Sequence, residues 1–203
     1  ILIFDECSSG FRESFGGLHL KYKVYPDMCI LGKALGNGFP ITAVLGKRNI
    51  MENAQSSFIS STFWTERSGY VAGLKTLEVM ENMKSWKIIT NQGKKIKRMV
   101  NRIAKNNNIS INTSGLDACP SYSINSNKWQ EYKTFITQEL LKKNILGANT
   151  TYVSICHNDR VIKKYEIELN KIFEIIRKIE TSGENMDNYL KGPVSHSGFK
   201  RLN

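Results

Sequence analysis

ILIFDECSSGFRESFGG (residues 1–17) is the stretch whose reading decides the fold. Four apolar residues run without a break into two adjacent carboxylates, Asp5 and Glu6. A short, apolar, β-branched run predicts a fully buried strand. Strands that are continuously apolar rather than alternating belong to a sheet covered on both faces. Two more runs share the pattern: MCIL (28–31), followed by Gly32 and Lys33, and ITAVLG (41–46). Residues 5–27 read as a long Gly- and Ser-containing connection, and GNGFP (36–40) predicts a tight turn.

Working outward, the pattern changes from about residue 66. Val71, Leu74 and Leu77 begin a helix to about 81, and a second helix covers about 84–106. Short strands follow at ISI (109–111) and CPSYSI (119–124), then a helix over 128–143. NTTYVSI (149–155) predicts a further strand, and 158–180 the last amphipathic helix. The stretch 181–203 is rich in Gly, Ser and Asn and reads as extended or mobile. The chain therefore splits near residue 108, into an α/β part over 1–108 and a small α+β part over 109–180, with 181–203 as a tail.

The 203 residues are 40% hydrophobic and 23% charged, an ordinary globular composition. No run approaches the roughly 18 apolar residues of a membrane span, and no stretch has the layout of a signal peptide. Cys7, Cys29, Cys119 and Cys156 form no CxxC pair, and His19, His157 and His196 sit near no cysteine pair. No metal site is expected, and the cytoplasm is the default location. The net charge of +11 raises a nucleic-acid reading. Its densest cluster, GKKIKRMVNRIAK (93–105), places Ile96, Met99, Val100, Ile103 and Ala104 at helical spacing, so its cations read as a solvated helix face. No nucleic acid and no membrane are expected as partners.

In an open α/β sheet, ligands sit at the carboxyl ends of the strands. Asp5 ends one predicted strand and Lys33 follows another. Taken singly, a strand-end Asp is usually a cap and a lysine after a glycine is usually solvent-exposed. Together they meet the needs of pyridoxal 5'-phosphate: a lysine for the Schiff base, and a carboxylate that keeps the pyridine nitrogen protonated.

LIFDE, GFR, FGG, PDMCILGKALGNGFP, ITAVLGKRNIM, STF and AGLKTLEVME, in this order and spacing, resemble class III aminotransferases of the fold-type-I pyridoxal phosphate superfamily. Within that class they are most similar to the glutamate-1-semialdehyde 2,1-aminomutase branch. The match covers residues 1 to about 83, and HNDRVIKKYEIELNKIFE (157–174) resembles the family's last helix more weakly. The resemblance implies an α/β fold: residues 1–108 as the end of the large mixed-sheet cofactor domain, and 109–180 as the small C-terminal α+β domain. It implies a homodimer with a shared active site and a small amino, keto or amino-aldehyde substrate. Asp5 would bind the pyridine nitrogen, and Lys33 would form the Schiff base and shuttle the proton. Thr62 would reach the cofactor phosphate of the neighbouring subunit. Cys7 would pack on the ring, where the family commonly has valine. One departure is large: the family's SGNP turn is replaced by Trp64-Thr65-Glu66-Arg67.

The expected activity is therefore transamination to a keto or aldehyde acceptor. Intramolecular transfer of the aminomutase type is the alternative, and a non-enzymatic basic binding module is the reading from a different class. The family's chains are longer and hold a half that would precede Ile1. An apolar strand made for a covered position is a poor beginning, so the chain is expected to be a C-terminal fragment, inactive alone.

Overall fold

Strands β1 (Ile3–Asp5), β2 (Met28–Leu31) and β3 (Ala43–Gly46) form a mixed sheet in the order β1-β2-β3. β1 runs parallel to β2 with Asp5 opposite Ile30, and β2 runs antiparallel to β3 with Leu31 opposite Ala43. A parallel pair needs a long crossover. Residues 6–27 supply it, and they contain only the four-residue helix α1 (His19–Tyr22). The computed structural model describes residues 1–198. They fall into two compact units, Ile1–Thr90 and the chain from Asn91 onward.

The first unit corrects two expectations. The ILIF run is not a fully buried strand over 1–4: β1 starts at Ile3, whose side chain is 52% exposed. Among the described residues β1 pairs only with β2, which leaves Ile3 open to solvent and Phe4 half-buried. Burial is confined to alternate residues of β2, Cys29 and Leu31, which pack with Phe11, Leu35, Ile41 and Leu77. β3 begins at Ala43 rather than at residue 41, because the Ile41 N–H is spent on the Phe39 carbonyl inside the turn (2.9 Å).

The short helix α2 (Arg48–Met51) follows β3. Helix α3 (Arg67–Met83) buries Gly69 and Gly73. It ends at Lys84, whose left-handed backbone (φ 52°) breaks it from α4 (Ser85–Asn106). The division between the two units falls inside α4.

In the second unit the predicted stripe of α4 is the buried face: Ile96, Met99, Val100, Ile103 and Ala104 are all core residues. The cations lie on the other side, where Lys95 pairs with Asp159 at 2.7 Å and Arg102 pairs with Glu166. β4 (Ile111–Leu116) and β5 (Cys119–Ile124) form an antiparallel hairpin. A Cβ built on Gly93 would meet the Asp117 carbonyl oxygen at 1.6 Å, so only glycine lets α4 approach the hairpin turn this closely. Helices α5 (Trp129–Leu141) and α6 (Asp159–Ser182) contribute Tyr132, Phe135, Leu169, Phe173 and Ile176 to the core.

The strand expected over 149–155 does not form. That segment follows β5 through one bridge, Ser121 with Thr150, and the Thr151 N–H donates to the Pro120 carbonyl (2.9 Å). Pro120 has no N–H to return, so the ladder is interrupted there, and beyond it a single longer bond runs from the Val153 N–H to the Ala118 carbonyl (3.3 Å). Beyond α6 the chain is irregular but anchored. Met186 is fully buried, the Lys191 N–H donates to Gln138 Oε1 (2.7 Å), and the Ser195 N–H donates to Thr134 Oγ1 (2.9 Å). Residues 199–203 of the predicted tail lie outside the described residues.

Candidate active site

Because β1 and β2 are parallel, their carboxyl ends lie at the same end of the sheet. Asp5 is the last residue of β1, and Lys33 follows the end of β2 across Gly32. The chain turns sharply after Asp5. Its Oδ1 accepts the Cys7 N–H (3.1 Å), and the Gly10 N–H returns to the Glu6 carbonyl (2.8 Å). This turn lays Cys7 against the strand that leads to the lysine, since a Cβ on Gly32 would lie 3.4 Å from Cys7 Sγ. Burial pushes the Cys7 thiol up, and the neighbouring Asp5 carboxylate adds to the rise through a hydrogen bond and its charge; the positive charge of Lys33 opposes it.

Lys33 has φ +45°, a left-handed conformation that side-chain-bearing residues rarely adopt. Its Nζ donates to Ser8 Oγ. Asp5 and Lys33 are both exposed, and among the described residues neither takes part in an ion pair. The structure thus brings together Asp5, Cys7 and Lys33. It does not join Thr62 to them: Thr62 lies in an exposed turn over 62–65, with no hydrogen bond to any of the three among the described residues.

The divergent WTER segment has a local role that the sequence reading missed. Glu66 caps α3, accepting the Ser68 N–H at 3.0 Å and the Gly69 N–H at 3.4 Å. The Ser68 hydroxyl, which also donates to it, and then these N–H groups hold its carboxyl below the usual range. Trp64 is 56% exposed, and its carbonyl accepts the Tyr70 hydroxyl (2.7 Å).

Glu6 was also missed. It is only 4% exposed, and its carboxylate accepts the backbone N–H groups of Leu18 and His19, the latter at 3.0 Å. Its Oε1 also lies 2.8 Å from His19 Nδ1. Burial alone would push the Glu6 carboxyl up, but these N–H groups outweigh it and hold the carboxyl below the usual range. His19, which sits near no cysteine pair in the sequence, comes close to a cysteine in space: Glu6, His19 and Cys29 offer atoms within 4.8 Å of one another. With both carboxylate oxygens engaged by N–H donors, the cluster is a hydrogen-bonded anchor that ties Leu18 and His19 to the end of β1.

The sequence model of the family "Aminotransferase class-III" matches residues 1–178. The chain belongs to this family. Among curated relatives, 3-aminobutyryl-CoA aminotransferase of Cloacimonas acidaminovorans is 32% identical over 161 residues, covering 77% of this chain and 39% of that protein. Glutamate-1-semialdehyde 2,1-aminomutase of Saccharolobus islandicus is 32% identical over 189 residues, covering 85% and 44%. The chain thus spans less than half the length of these relatives.

Among solved structures, the FumI protein of Sphingopyxis sp. MTA144 in its PLP internal aldimine form aligns with a TM-score of 0.81 at 16% identity, over 93% of this chain and 46% of that one. A transaminase with PLP bound aligns at 0.79 and 18% identity, over 88% and 45%. The expected type-I transferase fold is therefore the fold present, seen here as the part of it that the class III chain covers. Among the described residues no helix is long and apolar enough to cross a membrane.

Proposed function

We propose that this chain carries the lysine and the ring-nitrogen carboxylate of a pyridoxal-phosphate-dependent enzyme that transfers an amino group between small amino and keto or aldehyde compounds. The observation that carries the reading is the meeting of Asp5 and Lys33 at one end of a parallel strand pair, both exposed and neither spent on an ion pair among the described residues. Pyridoxal phosphate, when bound, supplies an aldehyde that captures amines and a ring that takes up electrons from the substrate carbon. The donor set fits that group. The Asp5 carboxylate would accept the N–H of a cationic ring nitrogen and keep it charged. Lys33 Nζ would hold the aldehyde carbon, with loss of water, until a substrate amine displaces it, and the freed amine would then take the proton from the substrate carbon and return it. The thiol-bearing side chain of Cys7, half-buried beside Gly32, would pack against the ring. The left-handed backbone of Lys33 supports the reading, since such strain persists where the surroundings demand a particular side-chain position.

The isolation of Thr62 from this cluster is in keeping with a role toward the phosphate of a second copy, in a homodimer with shared active sites. We place the enzyme in the cytoplasm. Transfer to a separate acceptor is the favoured reaction, supported by the similarity to an aminotransferase and by the exposed Trp64 and Arg67 that replace the family's SGNP turn. The similarity to an aminomutase supports intramolecular transfer as the second reading.

Borohydride reduction of the intact protein with its cofactor, followed by peptide mapping, tests the assignment. The label is expected in the peptide containing LGKALGNGFP; label on Lys47 or Lys75 instead refutes it. Stalling of a half-reaction until a keto or aldehyde acceptor is added identifies transfer. Complete isomerisation of one amino aldehyde without an acceptor identifies the mutase.

A further inference from the structure

We infer that Ser8 is a positioning residue for the Lys33 amine. What that amine does rests on the amino-transfer reading; how it is held does not. Among the described residues the Ser8 hydroxyl has one hydrogen-bond partner, Lys33 Nζ. The backbone of Ser8 is not free to drift. Upstream, the Cys7 N–H is tied to Asp5 Oδ1 (3.1 Å). Downstream, the Gly10 N–H closes on the Glu6 carbonyl (2.8 Å). A side chain at position 10 would meet that carbonyl and Leu31 Cδ2, each at 2.8 Å, so Gly10 is what lets the turn seat against β2. The Ser8 carbonyl also accepts Arg12 Nε at 3.4 Å. One turn thus carries the candidate carboxylate at its start and the lysine's partner at its apex.

The chemistry of the partner suits an amine that changes protonation. A hydroxyl is one donor and two acceptors. It accepts from an ammonium, and it donates to the lone pair once the amine is neutral. A carboxylate could only accept, and would hold the lysine as ammonium. When Lys33 is not attached to the cofactor, Ser8 keeps Nζ at the strand end through both halves of a proton transfer, and the hydroxyl gains and loses nothing.

The test is competitive acetylation of the cofactor-free intact protein with trace acetic anhydride, reading each lysine by peptide mass spectrometry. In Ser8→Ala, Lys33 should label about fivefold faster than in wild type, the factor that one hydrogen bond of typical net strength represents. Lys23 and Lys47 should be unchanged, which a general loss of structure would not allow. Ser8→Thr keeps a hydroxyl and should label Lys33 at the wild-type rate. Equal labelling of Lys33 in wild type and Ser8→Ala, or Ser8→Thr labelling as fast as Ser8→Ala, overturns the inference. Borohydride mapping is independent of this readout, so a failure of Lys33 as the cofactor lysine and a failure of Ser8 as its partner are told apart.

Discussion

Glu6→Ala should open the segment 17–22 without unfolding the rest of the protein. Glu6 is buried, and its carboxylate accepts the N–H groups of Leu18 and His19 and faces the His19 ring. Removing it leaves two backbone donors without an acceptor, at about 1.5 kcal/mol each, or about 3 kcal/mol for the pair. The ring nitrogen adds little, because His19 is partly exposed and water can replace the carboxylate there. Helix α1 has four residues and cannot hold itself against that loss. About 3 kcal/mol corresponds to exchange more than about 100-fold faster. Amide hydrogen exchange of Leu18 and His19 in the intact protein measures it. Acceleration of less than about fivefold, well under the loss of one such bond, would refute the anchoring argument.

The pH dependence of that anchor has a definite sign. The folded Glu6 carboxyl lies below its ordinary value, so its contribution is complete above the ordinary glutamate range. It is lost as the pH falls through the depressed folded value. Protection at Leu18 and His19 should therefore fall in acid in wild type and show no such step in Glu6→Ala.

Lys33→Gly and Lys33→Ala should both abolish turnover, but the glycine variant should be the more stable by about 1 kcal/mol in a denaturant melt, because φ +45° strains any residue with a Cβ. Equal stability would remove the strain argument. Asp5→Asn should still bind the cofactor yet turn over at least about 100-fold slower, since an amide cannot supply the charge that keeps the ring nitrogen protonated; activity within a few-fold of wild type speaks against the role. Gly93→Ala should cost about 3 kcal/mol or more, read as a lowered denaturation midpoint, because α4 must move off the Asp117 carbonyl. A midpoint within error of wild type would show that the hairpin turn yields freely.

Helices were legible in the sequence wherever one face repeats. The buried stripe of α4, from Ile96 to Ala104, follows from spacing alone, because a helix returns a side chain to the same face every three or four residues whatever it packs against. The strand-end positions of Asp5 and Lys33 were legible for a similarly local reason, each following a short apolar run next to turn-forming residues, whereas the roles expected of them came from the family resemblance. Only the tertiary structure decided what depends on partners distant along the chain. The exposure of Ile3 is a matter of which strands pair, since among the described residues β1 pairs only with β2. The interrupted ladder over 149–155 depends on meeting Pro120 rather than a residue with an N–H. The parallel register of Asp5 with Ile30, and the turn after Asp5, bring Ser8 to Lys33 and set Glu6 beside His19 and Cys29. Residues 13 to 25 positions apart carry no periodic signal, because nothing local links them until strand pairing and turn geometry place them together.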